Sequence, residues 1–208
     1  MALPVFRSGL DWSGDAGDPA KPGSQAYLVF AVAHIAEGDL GRLDAALRDV
    51  RRARGLPGNY PFKYKKARPD IRQTFFAALG DIPCLAHILI VDKRLWTPSY
   101  LRSTRGTDRI NHAMVELIRG CSHEFIGGQV LLIDGARDEL PTLRMARQAL
   151  SRAMSERGGN AFKKVRMCSD EDPDGSILQV ADMIAGVLRD QGLNSPLLDR
   201  LRDRLTLV

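Results

Sequence analysis

The sequence predicts a layered α/β domain with a central mixed β-sheet flanked by helices, and three observations carry that reading. Ala26–Ile35 is a nearly continuous apolar run whose Tyr27, Val29 and Phe30 favour a strand covered on both faces. It follows an earlier extended segment across a Gly- and Pro-rich turn, which predicts a hairpin. Beyond it, apolar runs of strand length alternate with segments of helical spacing.

In chain order, Pro4–Asp11 reads as the first strand and Trp12–Gly23 as a loop carrying Gly14, Gly17, Pro19, Pro22 and Gly23. After the Ala26–Ile35 strand, Asp39 is placed to cap a helix to Arg54, with Leu40, Leu43, Ala46, Leu47 and Val50 on one face and Arg42, Arg48, Arg51 and Arg52 on the other. Gly55-Leu56-Pro57-Gly58 ends it. Pro61–Ala67 is a short extended or irregular piece, and Pro69 or Asp70 starts a second helix to Leu79.

Cys84–Val91 predicts another buried strand, followed by a polar loop and a helix to about Cys121 that Thr107 or Asp108 caps. Gln129–Asp134 predicts a strand and Leu140–Glu156 a helix stopped by Gly158-Gly159. Ala161–Cys168 is a weaker, charged strand suited to a sheet edge. A helix over Ser176–Asp190 and a last one over Pro196–Arg204 complete the pattern.

A chain of 208 residues is long enough for one well-buried domain, and no linker composition divides 1–208. No window approaches the ~18 uninterrupted apolar residues of a membrane span. The start, Met1 to Arg7, lacks the pattern of a secretory signal, so a cytoplasmic protein is expected. Cys84, Cys121 and Cys168 are odd in number and far apart, which predicts reduced, partly buried thiols. The balance of 30 basic against 25 acidic residues gives +5, compatible with a polyanionic partner.

Functional groups in open α/β sheets gather beyond the carboxyl ends of strands, where chain reversals leave a crevice. Asp11 and Asp134 both occupy such ends, though a strand-end acid is also a common turn former. Asp182 flanks the inward stripe Ile177, Ala181, Ile184 and Leu188 of a helix whose Ala181, Ala185 and Gly186 allow close approach to the sheet. Three clustered carboxylates repel unless a cation neutralises them or a proton is shared, and oxygen-only ligands select a hard ion such as Mg2+ or Mn2+. Two such ions ~4 Å apart activate water and stabilise the leaving oxygen of a phosphodiester. His34, His87, His112 and His123 lack ligand spacing and read as structural.

The Asp11-Trp12-Ser13-Gly14 loop, Leu132-Ile133-Asp134 and the helix Gln179-Val180-Ala181-Asp182-Met183-Ile184-Ala185-Gly186 resemble the bacterial family called domain of unknown function 3800. That family is marked by a D-E-S-G loop and a late Q-x-A-D-x-I-A-G helix. The resemblance implies a ribonuclease H-like three-layer fold and a metal-dependent nuclease or phosphodiesterase, with Asp11, Asp134 and Asp182 as catalytic metal ligands. Ser13 and Gln179 would orient the acids or substrate. The chain departs from the family at Trp12, where the family has glutamate, and ahead of Lys63, where Tyr60, Pro61 and Phe62 offer no acid. Asp15, Asp138 and Asp174 are the acids that could substitute.

Lys63, Lys65, Lys66 and Arg68, interleaved with Tyr60, Phe62 and Tyr64, suit a nucleic-acid backbone, with charge supplying affinity and aromatic faces stacking on bases. The same pattern is equally that of core aromatics beside solvated lysines, and Trp12 is likewise a stacking platform or a core lid. The main alternative is a catalytically degraded ribonuclease H-like protein that binds nucleic acid or a protein partner. No glycine-rich segment matches a nucleotide-cofactor fingerprint.

Overall fold

The computed structural model describes residues 4–121, 125, 130–134, 150–152, 155, 164–169, 172 and 175–208. Six strands, β1 (Phe6–Ser13), β2 (Tyr27–Ala36), β3 (Cys84–Asp92), β4 (Val130–Asp134), β5 (Lys164–Cys168) and β6 (Leu205–Leu207), form one sheet in the order β5-β4-β1-β2-β3-β6. β1, β2 and β3 are antiparallel neighbours, whereas β4 joins β1, β5 joins β4 and β6 joins β3 in parallel. The sheet is therefore mixed, with the expected hairpin at its centre and β5 at one edge.

The described helices are α1 (Leu40–Ala53), α2 (Pro69–Leu79), α3 (Pro98–Ser103), α4 (Gly106–Gly120) and α5 (Ser176–Gln191). The alternation of strand side chains sorts the core into two layers. Val29, Ala31, Ala33 and Ile35 of β2 pack with α1, α2 and α5. Leu28, Phe30 and Val32 face the other way, with Leu10 and the α4 residues Met114, Leu117 and Ile118.

Two glycines remove side chains where α5 packs, Gly9 against the sheet and Gly186 against Tyr64. A Cβ on Gly9 would stand 2.9 Å from the Ile177 carbonyl oxygen, and one on Gly186 would stand 2.3 Å from the Tyr64 ring. Gly186→Ala should therefore displace the Tyr64 ring and destabilise the protein by about 1–3 kcal/mol, the usual cost of overpacking. An unchanged denaturant midpoint would remove Tyr64 as the constraint.

All three cysteines are free and buried. Burial pushes the Cys84 thiol up to about 12, against the opposing pull of Arg204, so it stays protonated at neutral pH. Iodoacetamide at pH 8 should leave Cys84 unmodified in the native protein and label it after denaturation; mass spectrometry of the peptide distinguishes the two.

Four expectations shift. The helix over Pro196–Arg204 is instead two 3-10 turns, Pro196–Leu198 and Arg202–Arg204, before β6. Leu198 and Leu201 are buried, and the following residues pair with the β3 edge, so tertiary contact outweighs helical spacing. Asp39 makes no side-chain cap; it ends a 3-10 turn and pairs with Arg42 at 2.7 Å. Neither Thr107 nor Asp108 is the α4 cap, because the helix begins at Gly106 and Asp108 accepts from the Arg105 amide at its third position. The polar loop before it contains α3, capped by the Thr97 hydroxyl. Most of the expected Leu140–Glu156 helix lies outside the described residues; 150–152 and 155 are helical.

Candidate active site

β1 is a strand of mixed pairing, antiparallel to β2 on one side and parallel to β4 on the other. The β1–β4 register runs from Arg7↔Val130 to Leu10↔Ile133, and one further step sets Asp11 beside Asp134. Both carboxylates then share the α5 face with Gly9 and Leu132, since alternate residues of a strand point the same way. Gly14 ends the segment with φ +109°, a left-handed conformation that side chains resist, and a Cβ there would lie 2.6 Å from the Tyr27 carbonyl oxygen. The glycine of the Asp11–Gly14 motif thus serves the hairpin turn.

Asp11 is 4% exposed. Its Oδ1 accepts from the Trp12 amide at 2.7 Å, while Oδ2 is buried with no hydrogen-bond partner. Burial first, then the charges of Asp134 and Asp182, push the Asp11 carboxyl well above the ordinary range, against the opposing pull of Lys63 and the Trp12 amide. The other two acids singled out in the sequence therefore act on Asp11. The Lys63 ammonium sits 2.8 Å from Asp134 Oδ2 and 3.9 Å from Asp11 Oδ2.

Lys63 is aimed by its neighbours. Phe62 and Tyr64 are buried in the layer beneath α5, and their amides donate to Gln179 Oε1 at 3.2 Å and Asp182 Oδ2 at 2.6 Å. Between these two anchors the Lys63 side chain reaches the acids. A turn closed by the Lys66 and Ala67 amides onto the Lys63 carbonyl then leaves Lys65 and Lys66 exposed beside the exposed Arg68, which pairs with Asp70 at 3.3 Å. The aromatics are thus core, and Tyr64 carries the Arg72 guanidinium 3.8 Å from its ring centroid. Gln179 ties this segment to α5.

Arg51 is a residue that sequence reasoning assigned only to a polar helix face. It donates to the Tyr60 carbonyl at 2.9 Å and to Gln179 Oε1 at 3.3 Å, and lies over the Phe62 ring. Its place beside buried Phe62 and Gln179 and partly buried Tyr60 has no sequence signal beyond the arginine-rich face.

Trp12 points to the face opposite Asp11 and stacks on Phe30, with ring centroids 6.0 Å apart, so it is part of the α4-side core. Ser13 is half-buried at the end of β1, and its hydroxyl makes no hydrogen bond to the acids among the described residues. Asp15 is not a substitute for a missing acid. Lys93, Ser24 and the amides of Gly17 and Gln25 all bond it, holding its carboxyl well below the usual range despite partial burial. It is the counter-ion of the buried Lys93. Asp138, Asp174 and His123 lie outside the described residues.

The histidines hold a surprise that linear spacing could not show. His34 and His87, far apart in sequence but on adjacent strands, hydrogen-bond ring to ring at 3.0 Å beneath α4. Burial, and the neighbouring His87, lower His34 to about 3, so it is neutral.

No protein-family model matches the chain, and no curated protein matches it in sequence. Among solved structures it is similar to the ribonuclease H2 of Pyrococcus horikoshii OT3, with a TM-score of 0.57 and 20% identity, covering 96% of this chain and 78% of that one. The RNase HII in a PCNA:RNase HII complex from Archaeoglobus fulgidus gives a TM-score of 0.54 at 16% identity, covering 96% and 79%. The fold is ribonuclease H-like. Bst-RNase HIII in complex with Mn2+ gives 0.54 at 12% identity, covering 91% of this chain and 53% of that one.

Within this ribonuclease H-like fold, the strand-end acids Asp11 and Asp134 lie beside Lys63 of the 60–67 segment, which Gln179 and Asp182 tie to α5. Among the described residues no helix is long and apolar enough to cross a membrane.

Proposed function

We propose that the chain is a metal-dependent nuclease, or a related phosphodiesterase, that acts on nucleic acid through Asp11, Asp134 and Asp182, as a member of the domain of unknown function 3800 family. The observation that carries this is Asp11: a nearly inaccessible carboxylate, destabilised by two neighbouring acids, with one oxygen left without a hydrogen bond. Such an arrangement costs stability unless a cation is present. A hard divalent ion, Mg2+ or Mn2+, fits an all-oxygen donor set.

Asp11, Asp134 and Asp182 would hold it, and when bound it would supply Lewis acidity toward a phosphodiester. The chain's own residues would do the rest. Asp182 keeps Tyr64 and hence Lys63 in place through the Tyr64 amide, and Gln179 does the same one step earlier. Lys63 would release Asp134 to meet the substrate phosphate. Lys65, Lys66 and Arg68, exposed on the adjoining turn, would hold the backbone further along the strand. Ser13, at the mouth, would contact substrate.

The similarity to ribonucleases supports RNA as a first substrate to try. The protein is incubated with single- and double-stranded RNA and DNA, and with RNA paired to DNA, in Mg2+ or Mn2+, beside Asp11→Asn. Metal-dependent cleavage lost in the variant is expected; cleavage that survives it would sink the assignment. Salt-sensitive binding to the same polymers, with no cleavage and no metal-induced thermal shift, would instead favour a degraded, binding-only relative.

A further inference from the structure

We propose that His34, His87 and Cys121 form a buried site for a soft d10 metal ion, with Cu(I) the charge-matched choice, on the face of the sheet opposite the three aspartates. Each residue brings one ligand atom, and all three atoms lie within 4.8 Å of one another. They converge from β2, β3 and the end of α4, so only the fold assembles them. All are buried, at 0%, 4% and 0% exposure, in a layer otherwise made of residues such as Leu10, Val32, Leu117 and Ile118. Polar groups gathered in such a layer are costly unless satisfied.

A chain of hydrogen-bonded groups accommodates the tautomer that ligation needs. Ser8 Oγ lies 2.8 Å from His34 Nδ1 and 3.4 Å from the Phe125 carbonyl, so in the ligating tautomer the hydroxyl donates to Phe125 and its oxygen accepts from His34 Nδ1–H. With His34 neutral, its Nε2 then carries a lone pair directed at His87 Nδ1, 3.0 Å away. A partner that fixes one ring nitrogen and frees the other is the usual support of a metal-bound histidine. The Phe125 ring packs on both imidazoles, with centroids 5.3 and 5.7 Å away.

Metal binding balances simply. His87 moves its proton from Nδ1 to Nε2, the Cys121 thiol gives up its proton and its bond to the Leu117 carbonyl, and one proton leaves per ion bound. The His34–His87 hydrogen bond is replaced by two nitrogen–metal bonds. No redox partner is required. One thiolate and two neutral imidazoles carry a single negative charge, so a monovalent ion leaves the layer neutral, whereas Zn2+ leaves a buried positive charge and ordinarily takes four ligands. Cys84 and Cys168 lie in the other layer and contribute nothing here.

The full chain is titrated anaerobically with Cu(I) against a chromophoric chelator, with Zn2+ in a parallel arm. We expect one equivalent of Cu(I), a thiolate-to-metal absorption band in the ultraviolet, and a rise in Tm. Cys121→Ser should abolish the band and weaken binding at least ~100-fold; His87→Gln should do the same, and serves if the first variant does not fold. Ser8 is a positioning residue, so Ser8→Ala should keep the band but lower affinity about 10–100-fold. Cys84→Ser should change nothing. A protein that competes for neither ion, or whose band and affinity survive both Cys121→Ser and His87→Gln, would overturn the site; tighter binding of Zn2+ than Cu(I) at these residues would overturn the choice of ion.

Discussion

Asp11→Asn will stabilise the metal-free protein and abolish its response to metal. The wild-type carboxylate is buried, repelled by Asp134 and Asp182, and leaves Oδ2 without a hydrogen bond. An asparagine keeps the shape and the Oδ1 acceptor for the Trp12 amide while removing the charge. The relief comes from removing a buried charge that two acids repel, and should be on the order of 1–3 kcal/mol at neutral pH.

The pH dependence gives the sign. Asp11 binds its proton more tightly in the folded than in the unfolded chain, so its own contribution to metal-free stability is full below about pH 4 and is lost as the pH rises through the raised folded-state pKa. The gap between variant and wild type should therefore close in acid and open toward neutrality. Adding Mn2+ should raise the Tm of the wild type and leave Asp11→Asn unmoved, while any metal-dependent cleavage falls by on the order of 10³-fold. A variant less stable than the wild type at pH 7 would mean that Asp11 is satisfied by something other than a metal ion.

Lys63→Met should do the reverse. Methionine keeps an apolar stem of similar length and removes the ammonium that pairs with Asp134 at 2.8 Å and faces Asp11 at 3.9 Å. With about a fifth to a quarter of each side chain of the Asp134 pair exposed, the loss is smaller than for a fully buried pair, about 1–3 kcal/mol in the metal-free state. Asp11 loses the main influence that lowers its pKa, so instability at neutral pH deepens. Because a divalent ion then meets three acids with no resident cation, the Mn2+-induced rise in Tm should exceed that of the wild type. A smaller rise would show that Lys63 helps the metal rather than standing in for it.

Much of the architecture was legible from spacing. β2, β3, α1, α2 and α5 follow apolar periodicities that secondary structure obeys locally, and they fall within a residue or two of expectation. The central hairpin followed from its turn-rich connection. The C-terminal segment was not legible, because Leu198 and Leu201 fit a helix or a pair of 3-10 turns equally well, and the free edge of β3 decided between them. Trp12 shows the same limit at the site: its neighbour Asp11 faces α5, and alternation alone does not say which layer receives an indole.

By itself, the sequence determined the mixed α/β class and the residues worth watching: two acids ending strands, one on a helix made slim by Ala181, Ala185 and Gly186, and a lysine between aromatics. Only the tertiary structure decided that Asp11 is the strained member, that Lys63 is the cation beside it, that Asp15 belongs to Lys93, and that His34, His87 and Cys121 meet. Periodicity is a property of the chain's own repeat, so it is written locally. Charge balance and donor convergence depend on distances between strands and helices remote in sequence, and those exist only once the layers have packed.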